Sequence, residues 1–378
     1  MNRYLQAGFS LVEIMVAMTI SLIILAAITQ VFMSSRKTYA VNEAVARVQE
    51  DARFAAEIPA SDIRMAGYSG CGRLGRKLIT FLADTEDRPA VDFGSESSLI
   101  GYGNDWENPS ATITHVDNTD VIVVRRGDGL NMRPVGNPNG SQIKVTGNVH
   151  NIAKDDLIMI TDCTQADVIS INNPAKPNAQ GELTLVYASN DNHAPGDDCP
   201  SAYARRESGP GQPPGPGLGL IENVGQGLGS GGQNPGGGRP LLCGSYGTDA
   251  DIMRFIQHTY FIGEQAGQRA LYRINTHGVA EALVQNVESM RVLYGLDTRG
   301  VRVADTYLPH SEIPAHRWAE VISLRFELVV SSDPILPEPM AVSFPVFGSA
   351  HETHPIAADD RRMRRLVSKT VTLRNRAR

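Results

Sequence analysis

"FSLVEIMVAMTISLIILAAITQVFM", residues 9–33, carries a single charge in 25 residues, the carboxylate of Glu13. A helix needs about 20 mostly apolar residues to cross the hydrocarbon core of a bilayer, so the stretch predicts a membrane-spanning helix. The acid needs a reason. Within a bilayer it costs roughly 2.5–3.5 kcal/mol and requires a partner. Only the polar octet "MNRYLQAG" precedes the run, and it ends in Gly8. A secretory signal would carry its cleavage site after the apolar core instead. A cut after Gly8 would free the amine of Phe9 four residues before Glu13, about one helical turn or roughly 6 Å. Helical side chains lean toward the N-terminus, so Glu13 would reach its own amine or that of a neighbouring helix. In the second case the acid sets the register of helices stacked into a fibre.

The helical period continues beyond the span. Val41, Val45, Val48, Ala52 and Ala55 form one apolar seam, the spacing of a helix face. Glu43–Arg47 and Arg47–Asp51 are opposite charges at i,i+4, suited to an exposed face. The later part of the seam is expected to pack on the protein's own domain and the earlier part on other helices. Pro59 is expected to end or kink the helix, with Ser61–Asp62 capping a short restart. A helix from Phe9 to Ile58 would be about 75 Å long, too long for one domain to bury.

After Gly72 the pattern changes to short β-branched runs separated by Gly, Asn and Pro: 120–126, 142–147, 156–162, 166–171 and 182–187. Residues 254–263 and 269–274 read as a hairpin, followed by runs at 287–296, 319–330 and 368–374. The fold class is therefore α+β, a long N-terminal helix followed by an antiparallel β-rich domain. With 42% hydrophobic and 20% charged residues the chain is globular in composition, and a net charge of −6 argues against a generic nucleic-acid binder.

Gly8 followed by "FSLVEIMVAMTISLIIL" resembles the processing site of the type IV pilin superfamily. The stretch "VQEDARFAAEIPASDIRMAGYSGCG" resembles the PilW minor pilins within it, as do "GVAEALVQNVESMRVLYGLDTRG", "IPAHRWAEVISLRFELVV" and the closing "TVTLRNR". Pro59 departs from the family pattern. The resemblance implies cleavage between Gly8 and Phe9 by a separate prepilin peptidase, N-methylation of Phe9, and a subunit-assembly role for Glu13. It implies a leader at 1–8, a pilin helix at 9–58 with its transmembrane part at 9–33, and a periplasmic β-rich domain at 59–378 held at the inner membrane. The orientation rests on the resemblance, because Arg3 on one side and Arg36 with Lys37 on the other leave the positive-inside rule nearly silent. The function implied is that of a structural minor pilin, starting or capping a type IV pilus. Its partners would be other minor and major pilins, the inner-membrane assembly platform and a tip adhesin. The same pieces also resemble the J-type pseudopilin of type II secretion, which stays an alternative.

Four cysteines, Cys71, Cys163, Cys199 and Cys243, include no CxxC pair, which counts against a zinc ribbon or redox motif. Exported, they permit two disulfides in three connectivities. Cys199 and Cys243 bracket an insert at 200–242 whose residues 209–238 include eighteen Gly or Pro in thirty. A bridge across it would close a flexible loop, so the expected pairs are Cys199–Cys243 and Cys71–Cys163.

Catalytic patterns fail one by one. Gly227, Gly229 and Gly232 satisfy GxGxxG with no strand before and no helix after, so no dinucleotide cofactor is expected. "HETH" (351–354) has its histidines three apart rather than four and runs into Pro355, which reads as a surface loop. Asp297 and Asp305, with arginines between them, fall short of a calcium loop. No metal and no enzyme activity are expected. Residues 361–378 hold eight Lys/Arg and no acid. That raises a pilus-tip module for DNA or a surface as a second reading, but the stretch lacks aromatics for stacking and alternates like a terminal strand with a charged rim.

Overall fold

Helix α1 (Leu11–Met65) runs unbroken for 55 residues, about 80 Å at 1.5 Å per residue. The computed structural model of the protein describes residues 10–70, 93, 96–138, 142–147, 152–163, 166–172, 176–187, 242, 246–336, 338–339, 342–349, 351–355 and 360–376. Gly8, Phe9, Cys71, Cys199, Cys243 and the tract 209–238 lie outside these residues. The first half of α1 is long and apolar enough to cross a membrane, and none of that window is buried against the domain. Leu11 is 73% and Ile23 70% exposed. Its threonine hydroxyls are satisfied internally: Thr19 Oγ1 donates to the Val16 carbonyl at 2.8 Å and Thr29 Oγ1 to that of Leu25 at 2.8 Å. No polar group of these threonines needs water, which suits a segment in hydrocarbon.

Burial begins at Val48 and repeats at Ala52, Ala55, Ala56, Pro59, Ala60, Asp62 and Ile63. The expected seam is thus split, with Val41 and Val45 half-buried and its later members in the core. The expectation at Pro59 is overturned, since the helix continues through it to Met65. A proline removes one helical N–H and crowds the carbonyl four residues back. Here its ring is buried with the alanines on the packed face, so tertiary packing holds the turn together. Ser61 does not cap a restart, because its hydroxyl donates back to the Ile58 carbonyl at 2.8 Å.

Ten strands form the larger sheet: β1 (Leu99–Tyr102), β2 (Thr114–His115), β3 (Val121–Pro134), β4 (Gln142–Gly147), β5 (Leu157–Thr161), β6 (Ala166–Ser170), β7 (Leu183–Val186), β8 (Asp251–Gln265), β9 (Gln268–Ile274) and β10 (Ala280–Gln285). Its order is β10-β9-β8-β3-β4-β7, with β1 on β3, β2 and β5 on β8, and β6 on β5. The smaller sheet has β11 (Val287–Leu296), β12 (Thr306–Leu308), β13 (Val321–Pro334) and β14 (Arg362–Thr372) in the order β12-β11-β13-β14. Every pairing is antiparallel. The β8–β9 hairpin turns at Ala266 (φ 52°) and Gly267 (φ 77°). Two successive positive φ values give a turn whose twist matches that of the strands.

The main core joins both sheets to the end of α1. Ala52, Ala55, Ala56, Ala60 and Ile63 share one cluster with Ile122, Leu271 and Tyr260 of the larger sheet and with Tyr294, Leu324, Phe326, Leu328 and Val371 of the smaller. Alanine at four of these helix positions lets the backbone lie close to the strands. Ile63→Ala should therefore cost about 2–5 kcal/mol, the range for removing a fully buried aliphatic side chain. Phe54→Ala, on the exposed side of the same helix, should stay within about 0.5 kcal/mol. Thermal unfolding of the two variants in detergent checks the contrast.

Candidate assembly surface

The site indicated by the sequence is the start of α1. Ser10 precedes the helix, and its backbone N–H donates to the Glu13 carboxylate at 3.3 Å. Unpaired N–H groups and the helix dipole make this end locally positive, so it favours an anion. The carboxylate turns back on the helix N-terminus. Around it the surface is apolar and unpartnered, with Leu11, Val12, Ile14, Met15, Met18 and Leu22 all exposed.

The other end of α1 is bound into the domain by polar contacts that the sequence reading missed. Asp62 is buried and faces β8 and β3. It accepts from the Tyr260 hydroxyl at 2.5 Å and from the Arg126 Nε at 3.2 Å, and it pairs with His258 Nδ1. Burial alone would push its carboxyl up. The hydrogen bonds from His258 and Tyr260, together with the charges of His258 and Arg126, outweigh that and hold it down at about 2. The sequence did carry a signal, since Asp62 falls within the stripe formed by Ala55, Pro59, Ala60 and Ile63. An acid there needs buried partners.

The C-terminal segment closes the same end. The Arg374 N–H donates to the Arg64 carbonyl at 3.0 Å, and the Asn375 amide donates to Met65 and Ala66, both at 3.2 Å. Gly67 N–H donates to the Arg125 carbonyl at 2.9 Å. The carbonyls at the end of an α-helix need outside partners, and "LRN" supplies them. The Arg376 guanidinium is buried, donating to Trp318 O at 2.7 Å, Val321 O at 3.0 Å and Ser98 Oγ at 2.6 Å, and burial lowers its pKa to about 10.

Glu13 and Asp62 therefore stand at opposite ends of one rod, about 74 Å apart by helical rise. Among the remaining sequence candidates, Cys163 is disulfide-bonded, while the assignments to Cys71, Cys199 and Cys243 lie outside the described residues. Asp297 and Asp305 act as turn acceptors. Asp297 takes the N–H groups of Val301 (3.0 Å) and Arg302 (2.7 Å), and Asp305 pairs with Thr298 and Arg299.

The expected surface loop at "HETH" is only half right. His351 is exposed, but His354 is buried, with Nδ1 2.8 Å from Ser289 Oγ and Nε2 3.4 Å from Glu327. Burial lowers the His354 pKa against the opposing pull of Glu327. The order serine, histidine, acid resembles a hydrolase set, but Ser289 is fully buried and has no approach path for a substrate. The contact fastens residues 344–354 to the sheet, where Glu327 also accepts the Phe347 N–H at 2.8 Å.

Two family models match the chain, one near each end of the described fold. The prokaryotic N-terminal methylation motif covers residues 3–29, which include the first part of the exposed apolar helix. Type IV pilus-assembly protein W matches residues 259–375, the region of the β8–β9 hairpin, the smaller sheet and the helix-capping segment. The two matches together support a PilW-like type IV pilus minor pilin, a class whose domains are structural. No curated protein and no solved structure matches the chain.

The Asp62 network has a defined pH signature. Its folded pKa lies below the ordinary 3.8, so the ionised carboxylate stabilises the fold above about pH 4. That contribution, about 2 kcal/mol, should fade as pH falls from about 4 through about 2. Acid titrations of unfolding should show this loss in the natural chain and a flatter profile in Asp62→Asn.

Proposed function

We propose that the protein is the precursor of a minor pilin whose stem carries both its membrane anchor and its assembly contact. Residues 1–8 are the leader, prepilin peptidase cuts between Gly8 and Phe9, and Phe9 is then N-methylated. The mature chain rests in the inner membrane through residues 9–33, with the domain from residue 59 onward in the periplasm. Cys163 pairs with Cys71, and Cys199 with Cys243, as the oxidising compartment allows. The chain then leaves the bilayer for the pilus, where it starts or caps assembly beside other minor and major pilins.

One observation carries this reading. An apolar rod of membrane length, unburied along its outer half, has a single acid in its first turn and is fixed to its domain only at the far end. In lipid the apolar side chains are satisfied, and in a bundle of similar stems they remain so. The acid is satisfied only by a cation. The amine released at Phe9 supplies one at the right depth, and a neighbouring subunit presents it before docking is complete. Exchange of lipid for protein then has a register.

Removing the Glu13 charge takes away a pairing of the order of the 2.5–3.5 kcal/mol cost of an intramembrane acid, about a 100-fold change in equilibrium. Glu13→Gln should leave chain level and leader removal intact while pili per cell fall to those of the deletion strain. Mass spectrometry of the mature N-terminus accompanies the count. A chain that keeps Met1, or Glu13→Gln cells with normal pili, would overturn the proposal.

A further inference from the structure

Among the described residues, the smaller sheet ends in an open edge. β14 (Arg362–Thr372) is eleven residues long and lies outermost in the order β12-β11-β13-β14. Its register on β13 runs Ser323↔Thr372 through Val330↔Arg365 without a shift, and the Leu373 N–H donates to the Ile322 carbonyl at 2.9 Å. In an antiparallel ladder, residues alternate between those that bond the partner strand and those that turn away. Leu373, Val371, Lys369, Val367 and Arg365 therefore face β13 with their backbones. Leu366, Ser368, Thr370 and Thr372 point theirs to the open side, where no backbone partner among the described residues meets them. The other outermost strands are shorter: six residues in β10, four in β7 and three in β12.

Edges that must stay unpaired are usually blunted by prolines, bulges or charges that project along them. β14 has no proline, and its register holds from Arg365 to Thr372. Three of its four charges are also engaged elsewhere. Lys369 pairs with Glu57 of α1, the Arg364 side chain is 1% exposed and pairs with Glu288 and Asp360, and Arg362 pairs with Asp360. The side chains at the four outward positions are Leu, Ser, Thr and Thr. Along the same border Arg361, Arg365 and Arg374 are exposed and have no acidic partner among the described residues. Arg365 lies within β14, and Arg374 lies two residues beyond its end.

We propose that the open edge of β14 accepts a β-strand from a neighbouring pilin subunit, and that this strand carries acidic residues opposite Arg365 and Arg374. Main-chain hydrogen bonds supply the attachment, and the arginines supply direction and choice of partner. This rests on the assembly role proposed above and adds a contact made by the domain to the one made by the stem. The basic surplus on the surface is smaller than the sequence implies, because Arg362, Arg364, Lys369 and buried Arg376 are all engaged inside the domain. Among the described residues of the segment, what remains is three separate charges, Arg365 in the strand with Arg361 and Arg374 flanking it, which fit an acidic strand better than a nucleic-acid duplex.

The test uses the full chain in piliated cells, with a photo-reactive side chain in place of Thr372 and two sets of variants. Ser368→Pro with Thr370→Pro removes two outward N–H donors and leaves every main-chain bond to β13 in place. Arg365→Glu with Arg374→Glu reverses the exposed charges without touching the core. The natural edge should cross-link to one extended segment of another pilin in which acids outnumber bases. Both variant pairs should lower that yield about tenfold or more, the effect of losing one or two net hydrogen bonds or charge pairs. Leader removal and chain level should not change. Unchanged cross-linking in the charge-reversed chain would overturn the proposal, even if the proline pair failed to fold. So would a cross-link only to DNA, or none at all. Loss of leader removal would count against the pilin reading itself, which keeps the two failures separate.

Discussion

The structure depends on one junction, the last five turns of α1 packed between two antiparallel sheets. Everything N-terminal to Val48 projects from that junction with little support of its own. The helix face that enters it is built from Ala52, Ala55, Ala56, Ala60 and Ile63, side chains small enough to bring the helix backbone close to the strands on either side. Close packing of this kind is intolerant of slippage, because added volume has nowhere to go. Asp62 adds direction, since its carboxylate is satisfied only where His258, Tyr260 and Arg126 converge. Alanines let the helix in, and the acid decides how far it goes and at what rotation.

That division explains how a rod of about 80 Å can be orderly at one end and unpartnered at the other. Large apolar side chains from Leu11 to Met33 are 50–73% exposed. In water that surface is costly, at roughly 25 cal/mol per Å². In lipid or among similar helices it is not. The stem thus has two acceptable environments, and a change between them needs something specific to favour the second. Glu13 is the one group in the stretch whose energy differs sharply between bare lipid and a site with a cation. Near the helix N-terminus it is partly satisfied by the Ser10 N–H.

Much of this was legible in the sequence. The apolar run, the acid after the glycine and the valine–alanine seam describe α1 almost completely, because helix periodicity and hydropathy both act over many residues. Long central strands such as β8 and β11 were also plain, since they are buried on the main core. The short strands β1, β2, β10 and β12 were not. Each has six residues or fewer, and pairing with an already formed neighbour decides their conformation more than composition does. Pro59 misled because local backbone cost was weighed without the packing that offsets it. Asp62 and His354 misled in a similar way, as polar residues assigned to caps and loops where the fold buries them with partners drawn from distant strands.

The C-terminal segment shows best why a charge run is a poor guide to function until its partners are known. Read as sequence, residues 361–378 are a basic tail. In the fold they first form β14, lying beside β13 and under the end of α1, and then supply the N–H groups that close the helix. Arg376 enters the interior and Lys369 reaches Glu57. The strand and the helix end therefore belong to one structural unit, the same unit that anchors the stem. A force applied along α1 in a growing fibre would pass through Asp62 and the Arg374–Asn375 contacts into β13 and β14. An attachment at the outer edge of β14 would meet that load within one strand of where it leaves the helix. The β14 edge is thus where a domain contact would best reinforce the stem.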